Sequence, residues 1–376
     1  MQEYIIKHKD LPVLTFTIIE NVSDPVIRIT WITENRKMLP LDMIPDDEGV
    51  VRWIKSRTIP KNRAFVNSFL AKCGLSINRP MDIITVSKGL SLNDVYWITE
   101  TGFEGTFEDY NLYKNNFSNI LGLLAFTGYG SSLRTSLDSS PEFTTNGILP
   151  KCWRRINGKV YLFKGGTTGA SNTGFEPYSE YYASRVASAM NVNAVPYKIS
   201  NWKGVLCSTC ELFTSQDLSY IPVGRIVRKG GMQAVRKYYE SLGQEYVEAL
   251  NEMLVFDAVI CNTDRHFGNF GFLIDNETNT IVSPAPLFDH GNSLFNFATG
   301  DAMKDKDSFQ EYVDTLLPRT YDSYMEAKAY MSDRQREQVR KLLTYRLEKN
   351  PRYNVSPERY ELISGQINKR ARLLLK

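Results

Sequence analysis

The sequence is poor in histidine, cysteine and net charge, and it has no long hydrophobic run. Its 376 residues include 3 His and 5 Cys, and its formal charge is +3. An odd number of cysteines scattered through a long chain makes no disulfide framework, so we expect reduced thiols and a cytoplasmic protein. So small a charge gives no electrostatic argument for direct nucleic-acid binding. The longest apolar run, Ile120–Phe126, is far too short for a membrane span, and no signal peptide is predicted.

What is present is typical of a globular protein with two or three compact units: 42% hydrophobic and 23% charged residues over 376 positions. Cys207 and Cys210 form the single Cys-x-x-Cys. No second ligand pair follows, so we interpret both as buried strand residues, with a zinc or redox role as the alternative.

Local patterning predicts strands in the first hundred residues at Leu14–Ile19 and Val26–Thr33. An Asn-Gly pair at 157–158 lies between two β-rich runs, Lys151–Arg155 and Val160–Phe163, and predicts a hairpin. From residue 214 onward the composition favours helices at Gln233–Leu242, Glu245–Cys261, Asp333–Glu348 and Pro357–Leu374. The second of these is wholly apolar at 253–256 and 258–260, which predicts a core helix leading into residue 262.

The stretch after that helix contains the residues that phosphoryl transfer requires. Asp264 is followed by Asn269 and, twenty residues later, by Asp289 with Gly291 just behind it. One carboxylate, Asp264, would orient or deprotonate the attacking hydroxyl, while Asn269 and Asp289 would hold Mg²⁺ at the nucleotide phosphates. An apolar run at 270–274, a polar turn and a short run at 280–282 predict a hairpin that returns Asp289 to Asn269. The alternative is that Asp264 only caps a turn.

The strings DAVICNTDRHFGNFGF and SPAPLFDHGNSLF, at 257–272 and 283–295, resemble the catalytic and metal loops of the HipA-type serine/threonine kinases. More distantly they are similar to the phosphatidylinositol 3/4-kinases. On this interpretation we expect Arg265 and His266, which directly follow the catalytic position, to brace the loop instead of taking part in the chemistry. The chain departs from the protein-kinase pattern at Asp289-His290-Gly291, where His290 replaces a phenylalanine, and this puts conventional activation-loop control in doubt.

Two further residues fit an ATP site on their own pattern and also match this family. Lys164 ends the second strand of the predicted hairpin, where its ammonium group would reach the nucleotide phosphates. Glu180 lies on a predicted helix, Tyr178–Met190, and kinases use such a glutamate to fix the strand lysine. The alternatives are an exposed strand-end lysine and a surface glutamate in a first helical turn.

The segment TTNGILPK is similar to the phosphate loop of the HipA-type kinases. The resemblance places Gly147 and Lys151 at the nucleotide, and Thr144 at the family's autophosphorylated hydroxyl, normally a serine. A Thr-rich turn without regulation is the alternative. The Ser/Thr-rich stretch 131–146 is predicted to be a linker or a functional loop. In a two-lobed kinase the chain near Glu211 and Phe213 would cross from one lobe to the other, and its backbone there would contact the adenine.

The resemblance implies an α+β, two-lobed protein-kinase-like fold with a β-rich N-terminal lobe and a mostly helical C-terminal lobe. We place a β-rich subdomain at 1–128, a nucleotide-binding lobe at 129–213 and a helical catalytic lobe at 214–376.

The implied activity is that of an ATP- and Mg²⁺-dependent serine/threonine protein kinase with a protein substrate. Such an enzyme would autophosphorylate and would act as the toxin of a toxin–antitoxin pair with an antitoxin-like partner. Two alternatives remain open: a lipid or small-molecule kinase of the phosphoinositide-kinase type, and a catalytically degenerate kinase fold that binds a partner.

Overall fold

A computed structural model describes residues 2–130, 140–168 and 173–376 of the chain. Residues 131–139 of the predicted Ser/Thr-rich loop lie outside the described residues. Contacts divide the chain into two compact units. The first unit holds Met1–Lys164, Leu212–Ile221 and Leu273–Val282, and the second holds Gly165–Glu211, Pro222–Phe272 and Ser283–Lys376. The three-part division at residues 128 and 213 stays a prediction.

The strands are, in chain order, β1 (Glu3–His8), β2 (Leu11–Glu20), β3 (Val26–Ile32), β4 (Tyr96–Glu100), β5 (Lys151–Ile156), β6 (Lys159–Gly165), β7 (Lys198–Trp202), β8 (Val205–Glu211), β9 (Leu218–Pro222), β10 (Gly271–Asp275) and β11 (Thr280–Pro284). The α-helices are α1 (Asp47–Lys55), α2 (Val66–Lys72), α3 (Pro80–Ser87), α4 (Phe107–Tyr110), α5 (Asn119–Thr127), α6 (Glu176–Met190), α7 (Val223–Ile226), α8 (Gly231–Leu242), α9 (Gln244–Ile260), α10 (Lys306–Asp314), α11 (Asp333–Arg340) and α12 (Pro357–Leu375).

The first unit begins with an antiparallel sheet in the order β3-β2-β1-β4. Alternate residues of its strands face a core that includes Ile6, Leu14 and Phe16, and α1 covers that core with Val50 and Trp53. This alternation is the period-two pattern of a sheet buried on one face.

The predicted hairpin at 151–163 is confirmed as β5 and β6, which pair antiparallel. Its turn uses Asn157 and Gly158 with φ of +50° and +79°, the left-handed pair that a type I′ turn needs. The predicted return after residue 269 is confirmed as the neighbouring strands β10 and β11.

The second unit is mostly helical and is organised on α9. Every residue of this helix from Leu250 to Ile260 is buried. The predicted core helix is therefore confirmed, and a helix buried on all sides holds its carboxyl end firmly in place.

The predicted helix Asp333–Glu348 is wrong beyond Arg340, where α11 ends. Asn368, on α12, donates from Nδ2 to the carbonyls of Leu342 and Tyr345 at 2.7 and 2.9 Å. The chain there forms turns whose carbonyls bond a side chain instead of the next helical turn.

All five cysteines are buried thiols. Within the described ranges, no helix has the length and apolar character that crossing a membrane requires.

Candidate active site

The predicted catalytic loop starts at the carboxyl end of α9. Cys261 ends the helix in the left-handed conformation, with φ of +49°. The backbone N–H of Asp264 then donates to Asn262 Oδ1 at 3.0 Å, and that of Thr263 donates to the carbonyl of Asn292 at 2.9 Å. The loop is therefore tied both to its own start and to the segment that follows Asp289.

Arg265 joins the parts of this site and is fully buried. Its Nε and Nη2 donate to the two carboxylate oxygens of Asp257, on α9, at 2.9 and 3.0 Å. Its Nη1 donates to the carbonyls of Asn269 and Phe288 at 3.1 and 2.6 Å. The backbones of Asn269 and of the residue before Asp289 thus lie against one guanidinium nitrogen. Arg265 braces the loop, as the sequence predicted.

The electrostatics of this brace are those of a paired buried charge. Burial by itself would lower the pKa of Arg265, but the charge and hydrogen bonds of Asp257 raise it above its ordinary value. Arg265 Nη2 also lies 3.0 Å from His290 Nδ1. Because a guanidinium has only donors, Nδ1 must accept, so the His290 ring carries its proton on Nε2. His290, which stands where the protein-kinase pattern has a phenylalanine, is therefore a hydrogen-bonding residue in this chain.

Asp264 is held at both carboxylate oxygens. Oδ1 forms an ion pair with Nη1 of Arg319, and Oδ2 accepts from Asn292 Nδ2 at 3.1 Å. The Asp264 side chain is 34% exposed. It is therefore oriented by its neighbours and still partly exposed to solvent.

Asp289 adopts φ of +58°, an uncommon conformation for a residue other than glycine. Such strain persists only where the surroundings over-determine it, and it is common at functional sites. The surroundings include two buried side chains: Tyr197 Oη accepts from the Asp289 N–H at 3.1 Å, and Glu180 Oε2 accepts from the His290 N–H at 2.7 Å. Burial, and then the Glu180 charge, raise the pKa of Tyr197 well above its ordinary value.

Glu180 is fully buried, so its interpretation as a surface glutamate is wrong. It acts on the backbone beside the predicted metal ligand Asp289. His266 is a second local brace, since its Nδ1 accepts from the N–H of Gly268 at 3.0 Å. Burial lowers the pKa of His266, against the charges of Asp264 and Asp289.

The donor set fits Mg²⁺ better than a softer metal. Across the described residues, no group of three His, Cys, Asp or Glu side chains is arranged to hold a metal ion. The predicted ligands, Asn269 and Asp289, instead offer one amide and one carboxylate oxygen. Mg²⁺ is a hard ion that commonly takes one or two protein oxygens and fills its octahedron with water and phosphate.

In the first unit, Lys151 and Lys164 face each other. They are directly opposed in the β5–β6 register, and 6% and 7% of their surfaces are exposed. Opposed residues of antiparallel strands share one face, where two like charges are unfavourable. The interpretation of Lys164 as an exposed lysine is wrong. Lys151 Nζ donates to the carbonyl of Asn146 at 2.8 Å, and the contact of both lysines with a nucleotide stays a prediction.

The segment before Lys151 is held by a buried ion pair. Arg63 donates to Glu142 Oε2 at 2.9 Å and to the carbonyl of Lys151 at 2.8 Å. Burial raises the pKa of Glu142, with Arg63 opposing that shift. Gly147 has φ of +95°, and a Cβ there would lie 2.2 Å from Lys151 Nζ. The Lys151 side chain could move aside, but the positive φ favours glycine at residue 147.

Thr144 is buried, and its hydroxyl donates to the carbonyl of Leu90 at 2.9 Å. This hydroxyl is not accessible to a phosphate donor in this conformation. Glu211 ends β8, and the Phe213 ring packs edge-on against Tyr220 with centroids 5.6 Å apart. The adenine-binding role of Glu211 and Phe213 stays a prediction.

Four residues around the site were missed from the sequence. One had a readable signal: Asp257 is a lone carboxylate in the apolar run MLVFDAVI, and a buried charge requires a partner. Tyr197, Asn292 and Arg319 had no such signal, because their partners are distant in the sequence.

Comparison with protein-family models finds no match, and comparison with curated protein sequences finds none. Among solved structures, the chain is similar to HipA of the Shewanella oneidensis MR-1 toxin–antitoxin system, in a complex with HipB and its operator DNA. The identity is 13%, the TM-score is 0.55, and the match covers 98% of this chain and 96% of that one. The Helicobacter pylori proinflammatory kinase CtkA also matches, with 15% identity, a TM-score of 0.48, and 60% of this chain and 92% of that one covered. The likeness to HipA shows that the chain has the HipA-type kinase fold, as the sequence predicted.

Proposed function

We propose that this chain, which has the HipA-type kinase fold, is an ATP- and Mg²⁺-dependent serine/threonine protein kinase. The observation that carries the proposal is the Arg265 brace, which binds the carbonyls of Asn269 and Phe288 through one nitrogen. It draws together the loop that contains Asp264 and the segment that contains Asp289. Phosphoryl transfer depends mainly on such positioning and on charge stabilisation.

In the proposed reaction the hydroxyl oxygen of a serine or threonine forms a bond to the γ-phosphorus. The bond from that phosphorus to the bridging oxygen breaks, and ADP leaves with its electrons. Asp264 accepts the hydroxyl proton. Asn269 and Asp289 would hold Mg²⁺, which when bound neutralises charge on the phosphate oxygens.

The opposed lysines of the first unit support a nucleotide as the ligand. Lys151 and Lys164 are buried and directly opposed in the β5–β6 register, and their ammonium groups would contact the nucleotide phosphates. Gly147 would let the loop backbone approach those phosphates closely.

The test is phosphoryl transfer from γ-labelled ATP with Mg²⁺, to the chain itself and to dephosphorylated casein. We expect Asp264→Asn to lower kcat by about a hundredfold to ten-thousandfold, since proton transfer contributes that much. Asp289→Asn should raise the Mg²⁺ concentration required. Asp301→Asn, at an exposed carboxylate of the same unit, is the control and should match wild type. Transfer by Asp264→Asn at the wild-type rate would show that the assigned base is wrong.

The same samples separate the alternatives. Label recovered in extracted lipid instead of protein would favour a lipid kinase, and nucleotide binding without transfer would favour a degenerate kinase. Mass spectrometry of the labelled chain locates any autophosphorylation, and Thr144 is the position we propose. Because Thr144 is buried, its modification requires residues 140–150 to leave their present place.

We further propose an antitoxin-like, DNA-binding partner, because the similar Shewanella protein is in a complex with HipB and operator DNA. Size-exclusion chromatography of the chain mixed with a HipB-like protein from the same genome tests this proposal. Separate elution would count against it.

A further inference from the structure

The ion pair between Arg319 and Asp264 involves the residue that we propose as the base. Arg319 Nη1 contacts Oδ1, and Asn292 Nδ2 donates to Oδ2 at 3.1 Å. The backbone N–H of Asp264 is bonded as well, to Asn262 Oδ1 at 3.0 Å. With its backbone and both oxygens held, the carboxylate has one defined orientation.

Arg319 is supplied by an anchored segment. It lies between α10 and a 3₁₀ segment, Tyr324–Tyr330, that a capping box starts: Glu326 Oε1 accepts from the N–H of Ser323 at 3.0 Å. Tyr324 is 4% exposed, and the guanidinium of Arg370, on α12, lies 5.1 Å from its ring centroid. The backbone near Arg319 is therefore tied to the body of the second unit.

Fold stability does not explain the pair. The Arg319 side chain is 54% exposed and that of Asp264 is 34% exposed. Exposed ion pairs contribute about 0–1 kcal/mol to stability. What the guanidinium does determine is the direction in which the carboxylate points.

We infer that Arg319 is a positioning residue for phosphoryl transfer, which holds the Asp264 carboxylate in the orientation that accepts the proton of the substrate hydroxyl. The inference rests on the proposed function. If the inference is right, a loop far from residue 264 in the sequence contributes to the reaction rate, and the catalytic loop alone would be slower.

The experiment compares Arg319→Ala and Arg319→Lys with wild type, using labelled ATP, Mg²⁺ and dephosphorylated casein. The matched control is Arg340→Ala: Arg340 is 53% exposed, as Arg319 is 54%, and it pairs with a carboxylate, Glu337, away from the site. We expect Arg319→Ala to lower kcat by about tenfold to a hundredfold, the cost of a misplaced catalytic group, with an unchanged KM for ATP. Arg319→Lys should keep part of the rate, and Arg340→Ala all of it.

Chemical rescue distinguishes a positioning role from a purely structural one, because a structural role would not let an added guanidinium restore the rate. Added methylguanidinium should restore part of the Arg319→Ala rate and none of the Asp264→Asn rate. If Arg319→Ala does not fold, as judged by its thermal unfolding, Arg319→Met keeps the apolar stem and replaces it in every comparison.

The outcomes separate this inference from the proposed function. If wild type transfers no phosphate to itself, casein or lipid, the proposed function fails. If wild type is active and the folded Arg319 variant is equally fast, Arg319 is a bystander and the inference is overturned. A faster variant would also overturn it, because the ion pair would then restrain the base.

Discussion

Arg265 illustrates how one side chain fixes several backbone segments. It is fully buried and bonds to Asp257 and to the carbonyls of Asn269 and Phe288. Planar, forked donors make this geometry possible, and a lysine has no equivalent set. The positions of both predicted metal ligands therefore depend on a residue that does no chemistry itself.

Replacing Arg265 should be costly for stability. We expect Arg265→Lys to lower the free energy of unfolding by about 3 kcal/mol, because it leaves Asp257 buried and poorly compensated. Arg334→Lys is the control: Arg334 also pairs with a carboxylate of α9, Glu252, but is 61% exposed, so its loss should cost less than about 1 kcal/mol. Urea unfolding followed by circular dichroism measures both. Equal losses in the two variants would contradict the brace.

At the level of secondary structure, the predicted site residues lie at the ends of regular helices and strands. The buried helix α9 ends at Cys261 and the predicted catalytic loop follows at once. In the first unit the β5–β6 turn sets the register that opposes Lys151 and Lys164. Rigid elements that hold short loops give the positional accuracy that catalysis requires.

Replacing two glycines in these elements should change stability in opposite directions. Gly158, in the β5–β6 turn, has φ of +79°. Gly365 is exposed on α12, and apart from its chain neighbours and the backbone of its own helix no described atom lies within 4 Å of the place that a Cβ would take. We expect Gly158→Ala to destabilise the protein by about 1 kcal/mol, the cost of a left-handed alanine. Gly365→Ala should stabilise it by about 0.5–1 kcal/mol through helix propensity. Thermal unfolding of both variants measures these changes, and shifts of the melting temperature in the same direction would contradict the predicted effects of the two glycines.

Over its full length, the chain passes between two units several times. Residues 212–221 and 273–282 complete the first unit although most of it precedes residue 165. Asn279, for example, donates from Nδ2 to the carbonyls of Lys37 and Leu39 at 2.7 and 2.8 Å. The first unit is therefore not a continuous segment that could be cut out of the sequence.

The stability of the molecule should depend on pH through His8 of the first unit. Burial, followed by the charge of Lys9, lowers the pKa of His8 to about 4 from its ordinary value of 6.5. Between those values the unfolded chain binds the proton and the folded chain does not. The contribution is thus complete above pH 6.5 and is lost as the pH falls towards 4, by at most about 3 kcal/mol.

Denaturant unfolding at a series of pH values measures this effect in wild type and in His8→Phe. The variant cannot titrate, so its curve should be flatter between pH 6.5 and 4. Parallel curves for the two proteins would exclude His8 as the source.

Features that depend on neighbours along the chain could be predicted from the amino-acid sequence. The Asn157-Gly158 turn, the apolar helix before residue 262, and the return of the chain between Asn269 and Asp289 follow from local sterics and periodicity. The residue types that suggested phosphoryl transfer could also be read from the sequence, and their roles are predictions.

Contacts between distant residues required the folded chain. Folding joins Asp257 to Arg265 and Asp264 to Arg319. It ends α11 at Arg340, because a side chain of α12 bonds the carbonyls that follow. It also buries Glu180 against the backbone of His290. Local propensity describes each residue's preference for a conformation, whereas the partner of a buried charge or carbonyl is fixed only when the chain has folded around it.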